Sequence, residues 1–107
     1  MTPFPATAFK ILTAAEWMSF QADGRFHGSP VDRADGYIHL SAADQVDATL
    51  ERHFAGQSGL VLAEVNLIQL GAAVRWEESR GGALFPHHYG MLPLSAVTSA
   101  RPLPDQA

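Results

Sequence analysis

Cysteine is absent from the chain of 107 residues. That excludes disulfide bridges, a thiolate nucleophile and any cysteine-held metal. Lysine occurs once against six arginines, basic residues form no run, and the formal charge is −4. Bulk nucleic-acid binding needs a concentrated basic surface and is therefore not expected. A local positive pocket drawn from Arg33, Arg75 and Arg80 stays open. The longest strongly apolar stretch, Leu60 to Val65, is far shorter than the ~20 residues of a membrane-crossing helix. Residues 1–15 lack the basic start and apolar centre of a signal peptide, so the expected location is the cytoplasm. Missing too are the G-x-G-x-x-G and G-x-x-x-x-G-K-[ST] phosphate loops and the G-x-S-x-G elbow. No His-x-His or His-x₃-His spacing occurs, and the adjacent His87 and His88 point to opposite sides of an extended chain. No metal site is expected.

Apolar residues make up 47% of the chain, enough for one core. A single domain over 1–107 is expected, with loose ends at 1–7 and 101–107. Thr13-Ala-Ala-Glu16 is a capping box, Trp17 and Phe20 share the face behind it, and Gly24 stops the turn, predicting a helix near 13–23. Ser41-Ala-Ala-Asp44 repeats the start signal before the Val46, Leu50 and Phe54 stripe, predicting a second helix near 42–55. Pro30 to Gly36 reads as a polar surface loop. Leu60 to Leu67 is a buried, central strand, and shorter strands are expected at 8–12, 73–77, 85–89 and 93–100. Two helices for about six strands are too few for a doubly wound sheet. The expectation is an α+β fold, two helices packed on a bent, split, mostly antiparallel sheet.

Polar chemistry concentrates in three segments. In Tyr37-Ile-His39-Leu-Ser41 a strand puts Tyr37, His39 and Ser41 on one face, at the start of a helix whose N-terminus favours an anion. The bland alternative makes Ser41 a helix cap and His39 a structural hydrogen-bonder. In Arg75-Trp-Glu77-Glu78, Arg75 and Glu77 alternate in phase, as a surface pair or as a ligand's partners. Pattern alone does not choose between Glu77 and Glu78. Phe85-Pro-His87-His88-Tyr89 supplies further aromatic donors. The default site is one cleft lined by Tyr37 or His39, Arg75 or Arg80, and His87 or Tyr89. His27 and His53 read as peripheral, His53 as a cap in the last turn of a helix.

Lys10-Ile-Leu-Thr13 with Trp17, Gly36-Tyr-Ile-His-Leu-Ser41 with Gln45-Val46, Trp76-Glu77, Phe85-Pro-His-His-Tyr-Gly90 and Leu94 to Val97 follow one another along nearly the whole chain. In this order they resemble domain-of-unknown-function family 952, a bacterial family without an assigned activity. The resemblance implies a fold grouped with the ADP-ribosyltransferase-like proteins, among them the RNA 2′-phosphotransferases, with a split sheet around an NAD-binding cleft. His39-Leu-Ser41 is similar to a pocket segment of those phosphotransferases. By the same resemblance Tyr89 takes the tyrosine role and Glu77 or Glu78 the acidic one, although both acids here precede the tyrosine. Two functions follow. One is an enzyme, with His39 and Glu77 or Glu78 catalytic and NAD as a substrate, in which Tyr37, Ser41, Arg75, Arg80, His87 and Tyr89 bind a nucleotide. The other is a module that binds a small molecule or a protein without chemistry.

Overall fold

In a computed structural model, which describes residues 4–107 apart from the side chain of Arg80, strand β1 (Thr7–Thr13) leads directly into helix α1 (Ala14–Asp23). The chain continues through β2 (Arg25–Phe26), α2 (Pro30–Asp35), β3 (Ile38–His39), a 3₁₀ turn (Ala43–Gln45) and α3 (Val46–His53). It ends with β4 (Leu60–Asn66), α4 (Leu67–Leu70), β5 (Val74–Glu78), β6 (Leu84–His88), β7 (Leu92–Pro93) and β8 (Val97–Pro102). Residues 1–3 of the expected lead-in lie outside the described residues. At the other end Leu103 N donates to Leu60 O and Gln106 N to Gln57 O, so 101–107 runs against the body of the fold. Among the described residues no helix is long and apolar enough to cross a membrane.

The capping box of α1 forms reciprocally: Thr13 Oγ1 accepts from Glu16 N at 3.1 Å, and Thr13 N donates to Glu16 Oε1 at 2.9 Å. Phe20, on the buried face behind it, is fully enclosed, and Trp17 meets its ring edge-on at 5.7 Å. β4 lies between β1 and β8, antiparallel to both, with β1 paired from Thr7↔Asn66 to Thr13↔Leu60. Both faces of this sheet are covered. Ala8, Leu12, Ala63 and Val65 join Phe20, Phe26, Ile38 and Leu40 in the main core, while Ile11, Leu60 and Leu62 meet Val46 and Leu50 of α3. Lys10 shares the inward face with Ala8 and Leu12 by the two-residue period of the strand, and it is 6% exposed. Its charge needs a buried partner.

The partner comes from α2, and α2 corrects the expected architecture. Among the described residues the structure has four helices and three separate antiparallel sheets, β1–β4–β8, β2–β7 and β3–β6–β5, rather than two helices on one bent, split sheet. The single split sheet implied by the ADP-ribosyltransferase-like resemblance is thereby overturned. The stretch 30–36 is not a loop. Ser29 caps it, Pro30 sits at the first helical turn, Asp32 completes a capping box, and Gly36 closes it in the left-handed conformation. Propensity alone underrates so short and polar a helix. α4 is a single turn capped by the Asn66 side chain. Two of the ladders are only two residue pairs long, and Pro86, in the middle of β6, has no N–H to give a neighbouring strand. The second expected helix divides into the 3₁₀ turn and α3. Gln45, not Ser41, closes its start, accepting from Ala42 N at 2.9 Å.

Gly28 has φ +111°, and a Cβ there would sit 2.9 Å from Cβ of Asp32. Gly28→Ala is expected to cost roughly 1–3 kcal/mol from the backbone conformation alone, before Asp32 shifts to make room. Urea unfolding checks this, and an unchanged midpoint would refute it.

Candidate functional site

Sheet β3–β6–β5 has two faces of opposite character, set by the strand period. Ile38, Pro86 and His88 face the core. Burial pushes the His88 imidazole below the ordinary histidine range, partly opposed by its Nδ1 contact with Gly90 O at 3.1 Å. It is a neutral core residue. On the other face His39, His87 and Arg75 stand in one cross-strand row. The Tyr37 ring stacks on His87 at 4.1 Å and 24°, lies 4.7 Å from His39, and meets Tyr89 at 5.4 Å. His39 is edge-on to His87, with ring centroids 5.4 Å apart. Arg75 covers the Tyr89 ring, its Cζ 5.0 Å from the centroid.

Each histidine is held by a carboxylate. Glu77 Oε1 lies 2.8 Å from His87 Nδ1 and accepts from Tyr89 Oη at 2.8 Å. The bond with His87 first, and then that with Tyr89, keeps the Glu77 carboxyl below its usual range. The same bond with Glu77, together with burial, raises the Tyr89 phenol. Burial and the charges of Asp35 and Glu77 raise Tyr37. An ionised carboxylate only accepts, so His87 Nδ1 carries a hydrogen and, in the neutral ring, Nε2 offers a lone pair. His87 is 2% exposed, and Nε2 is buried with no hydrogen-bond partner among the described residues. Leaving such an acceptor unsatisfied costs about 1–3 kcal/mol.

Asp32 holds the second histidine. Its Oδ1 lies 2.7 Å from His39 Nδ1 and accepts from His39 N at 3.1 Å. Its Oδ2 pairs with Lys10 Nζ at 2.9 Å and accepts from Ser29 N at 2.9 Å. Lys10 Nζ also donates to His39 O at 3.0 Å. Burial alone would raise the Asp32 carboxyl, but the His39 bond, the Lys10 charge and the Ser29 amide outweigh it and hold the group well below the carboxylate range. Asp35, at the exposed end of α2, faces the other ring nitrogen of His39, with Oδ2 3.0 Å from Nε2. Beside this cluster a depression of about 310 Å³ is lined by residues including His27, Arg33, Gly36, Tyr37, Gly90 and Met91.

The structure therefore gathers Tyr37, His39, Arg75, Glu77, His87 and Tyr89. Glu78 is one position out of phase with Glu77 and exposed at the strand end. Ser41 stands apart: it bridges to Phe9 in the backbone, and its hydroxyl meets Thr49 Oγ1 at 3.0 Å. The Arg80 side chain lies outside the described residues. Sequence reasoning missed Asp32 and Lys10. The available signals were the Ser29-Pro-Val-Asp32 box and a lysine in phase with Ala8 and Leu12. No group of three or more His, Asp or Glu side chains able to hold a metal is found among the described residues.

The sequence profile of a family described as "Protein of unknown function (DUF952)" matches residues 11–100. A crystal structure of protein CC0527 from Caulobacter crescentus is 50% identical with a TM-score of 0.88, over 91% of this chain and 85% of that one. The solution structure of CC0527 is 49% identical with a TM-score of 0.83, over 94% and 86%. Comparison with curated protein sequences gives no match.

Proposed function

The chain belongs to domain-of-unknown-function family 952, whose description carries no activity, and from the site we propose a nucleotide-directed transferase that uses NAD or a related nucleotide. One observation carries this reading: two histidines with rings 5.4 Å apart, each with Nδ1 on a carboxylate, at 2.7 Å for Asp32 and 2.8 Å for Glu77. A carboxylate behind an imidazole fixes its tautomer and orientation, the requirement for a general base. His87 Nε2, covered by Tyr37 in this structure, is the atom that takes a proton once Tyr37 is displaced. In transfer of ADP-ribose, the C1′–N bond to nicotinamide breaks and a bond from C1′ to an acceptor oxygen forms. The acceptor's proton passes to Nε2. Arg75 and Tyr89 border the same face and suit an anionic, hydroxyl-bearing ligand. Of the two acids, Glu77 takes the positioning role and Glu78 none.

A second reading, binding without chemistry, has its own observation. His87 is buried beneath Tyr37, and Glu77 Oε1 is already occupied by His87 and Tyr89. A ligand that leaves Tyr37 in place does not reach Nε2. Calorimetric titration with NAD, ADP-ribose and a 2′-phosphorylated dinucleotide, with nicotinamide release followed in the same samples, separates the readings. For the enzyme, release is expected and Glu77→Gln slows it on the order of tenfold, as loss of a residue that orients another does. Binding without release selects the module. No binding by the folded protein refutes both nucleotide readings.

A further inference from the structure

We propose that the depression beside α2 is a nucleoside-phosphate subsite, with the base against Tyr37 and the phosphate on Arg33. This deepens the function proposed above and rests on it for the dinucleotide. Tyr37 belongs to two surroundings at once: its ring stacks on His87 at 4.1 Å, and it also lines the depression of about 310 Å³. That volume is at the low end for small-ligand sites, about 300–1,000 Å³, and suits one nucleotide half rather than a dinucleotide. Aromatic side chains hold bases by stacking, and Tyr37 is already fixed from behind by His87. Met91, 49% exposed, adds a polarizable side chain to the wall of the same depression. Arg33 supplies the charge. Its Nε donates to Gly28 O at 3.2 Å, which fixes the guanidinium, while its terminal nitrogens have no partner among the described residues. A guanidinium so presented matches a phosphate in bidentate fashion. Gly36 and Gly90 line the same depression, and a Cβ built on either meets nothing within 4 Å, so both stretches of backbone border open space.

The test uses AMP and adenosine as probes, titrated into the whole ¹⁵N-labelled protein and followed by amide shifts. AMP is expected to move the amides of Arg33, Gly36, Tyr37, Gly90 and Met91 together and to compete with NAD. Tyr37→Leu is expected to weaken both probes about tenfold, the scale of one lost stacking contact. Because Tyr37 also packs on His87, the surface variant Arg33→Gln gives a second readout: AMP weakened about tenfold, adenosine unchanged. Shifts confined to 75–77 and 87–89 would overturn the subsite while leaving the proposed transferase standing. AMP bound as expected by a protein that never releases nicotinamide would support the subsite and overturn the transferase. No AMP binding at millimolar concentration, or equal loss of AMP and adenosine on Arg33→Gln, would overturn the assignment.

Discussion

Asp32→Ala is expected to lower stability by about 3–5 kcal/mol, the range for breaking a buried ion pair from one side. The residue is 3% exposed and its carboxylate receives Lys10, Ser29 N and both the backbone and ring nitrogen of His39. Removing it strands the Lys10 ammonium, 6% exposed, on the inner face of β1. Asp32→Asn keeps the shape and the cap but not the charge, and is expected to recover only part of the loss. Urea unfolding at neutral pH measures both; a change under 1 kcal/mol for the alanine variant would contradict the buried-pair account, since ordinary surface substitutions stay within about ±0.5 kcal/mol. The pH dependence has a definite sign. The folded carboxyl is held below its unfolded value, so its contribution is fully present above the ordinary carboxylate range and is lost as pH falls through and beneath it. His88 acts in the same direction at a higher pH, since its folded value is depressed and acidification through the usual imidazole range opposes folding.

His87→Asn is expected to reduce nicotinamide release by ~10²–10⁴-fold, the usual worth of a general acid–base group. Asparagine offers an amide N–H towards Glu77 but nothing equivalent to the Nε2 lone pair. It tests the proton acceptor with less disturbance of the Glu77–Tyr89 bond than alanine would cause. Asparagine brings its own carbonyl acceptor and lacks the ring on which Tyr37 stacks, so melting is measured beside release. A variant with unchanged melting and unchanged release would eliminate His87 as the base. A variant that loses release but keeps ADP-ribose binding would separate chemistry from recognition.

Parts of this site are legible from periodicity. Tyr37 and His39, Arg75 and Glu77, and His87 and Tyr89 each lie two apart in extended chain, so a sheet that pairs their segments brings them to one face. The choice of Glu77 over Glu78 follows from pairing with Phe85 and proximity to His87, which is cross-strand register rather than local pattern. α1 was readable because its capping box precedes aromatic residues on a buried face. α2 was not, because the one aliphatic residue of its box, Val31, is 63% exposed, and no apolar stripe follows. Its single inward group is an acid, and an acid reads as surface until the lysine that answers it, 22 positions earlier, is brought beside it. Ser41 misled for a related reason. Its spacing fits a cap, yet its backbone is claimed by Phe9 and its hydroxyl by Thr49.

The brevity of β3 bears on how the protein opens. β3 is joined to β6 by two residue pairs, whereas β1 is joined to β4 by seven. Segments with few backbone bonds exchange their amides through local openings that leave the rest of the molecule folded. Here the hinge of such an opening is side-chain chemistry, the clasp of Asp32 on His39, and not the ladder. A substitution that loosens the clasp can therefore detach Tyr37 and His39 from His87 in a sub-global excursion. For a substitution on the His39 side of the clasp, which leaves the Asp32–Lys10 pair intact, the local protection of residues 37–40 falls further than the cooperative unfolding transition, governed by the longer ladder, does.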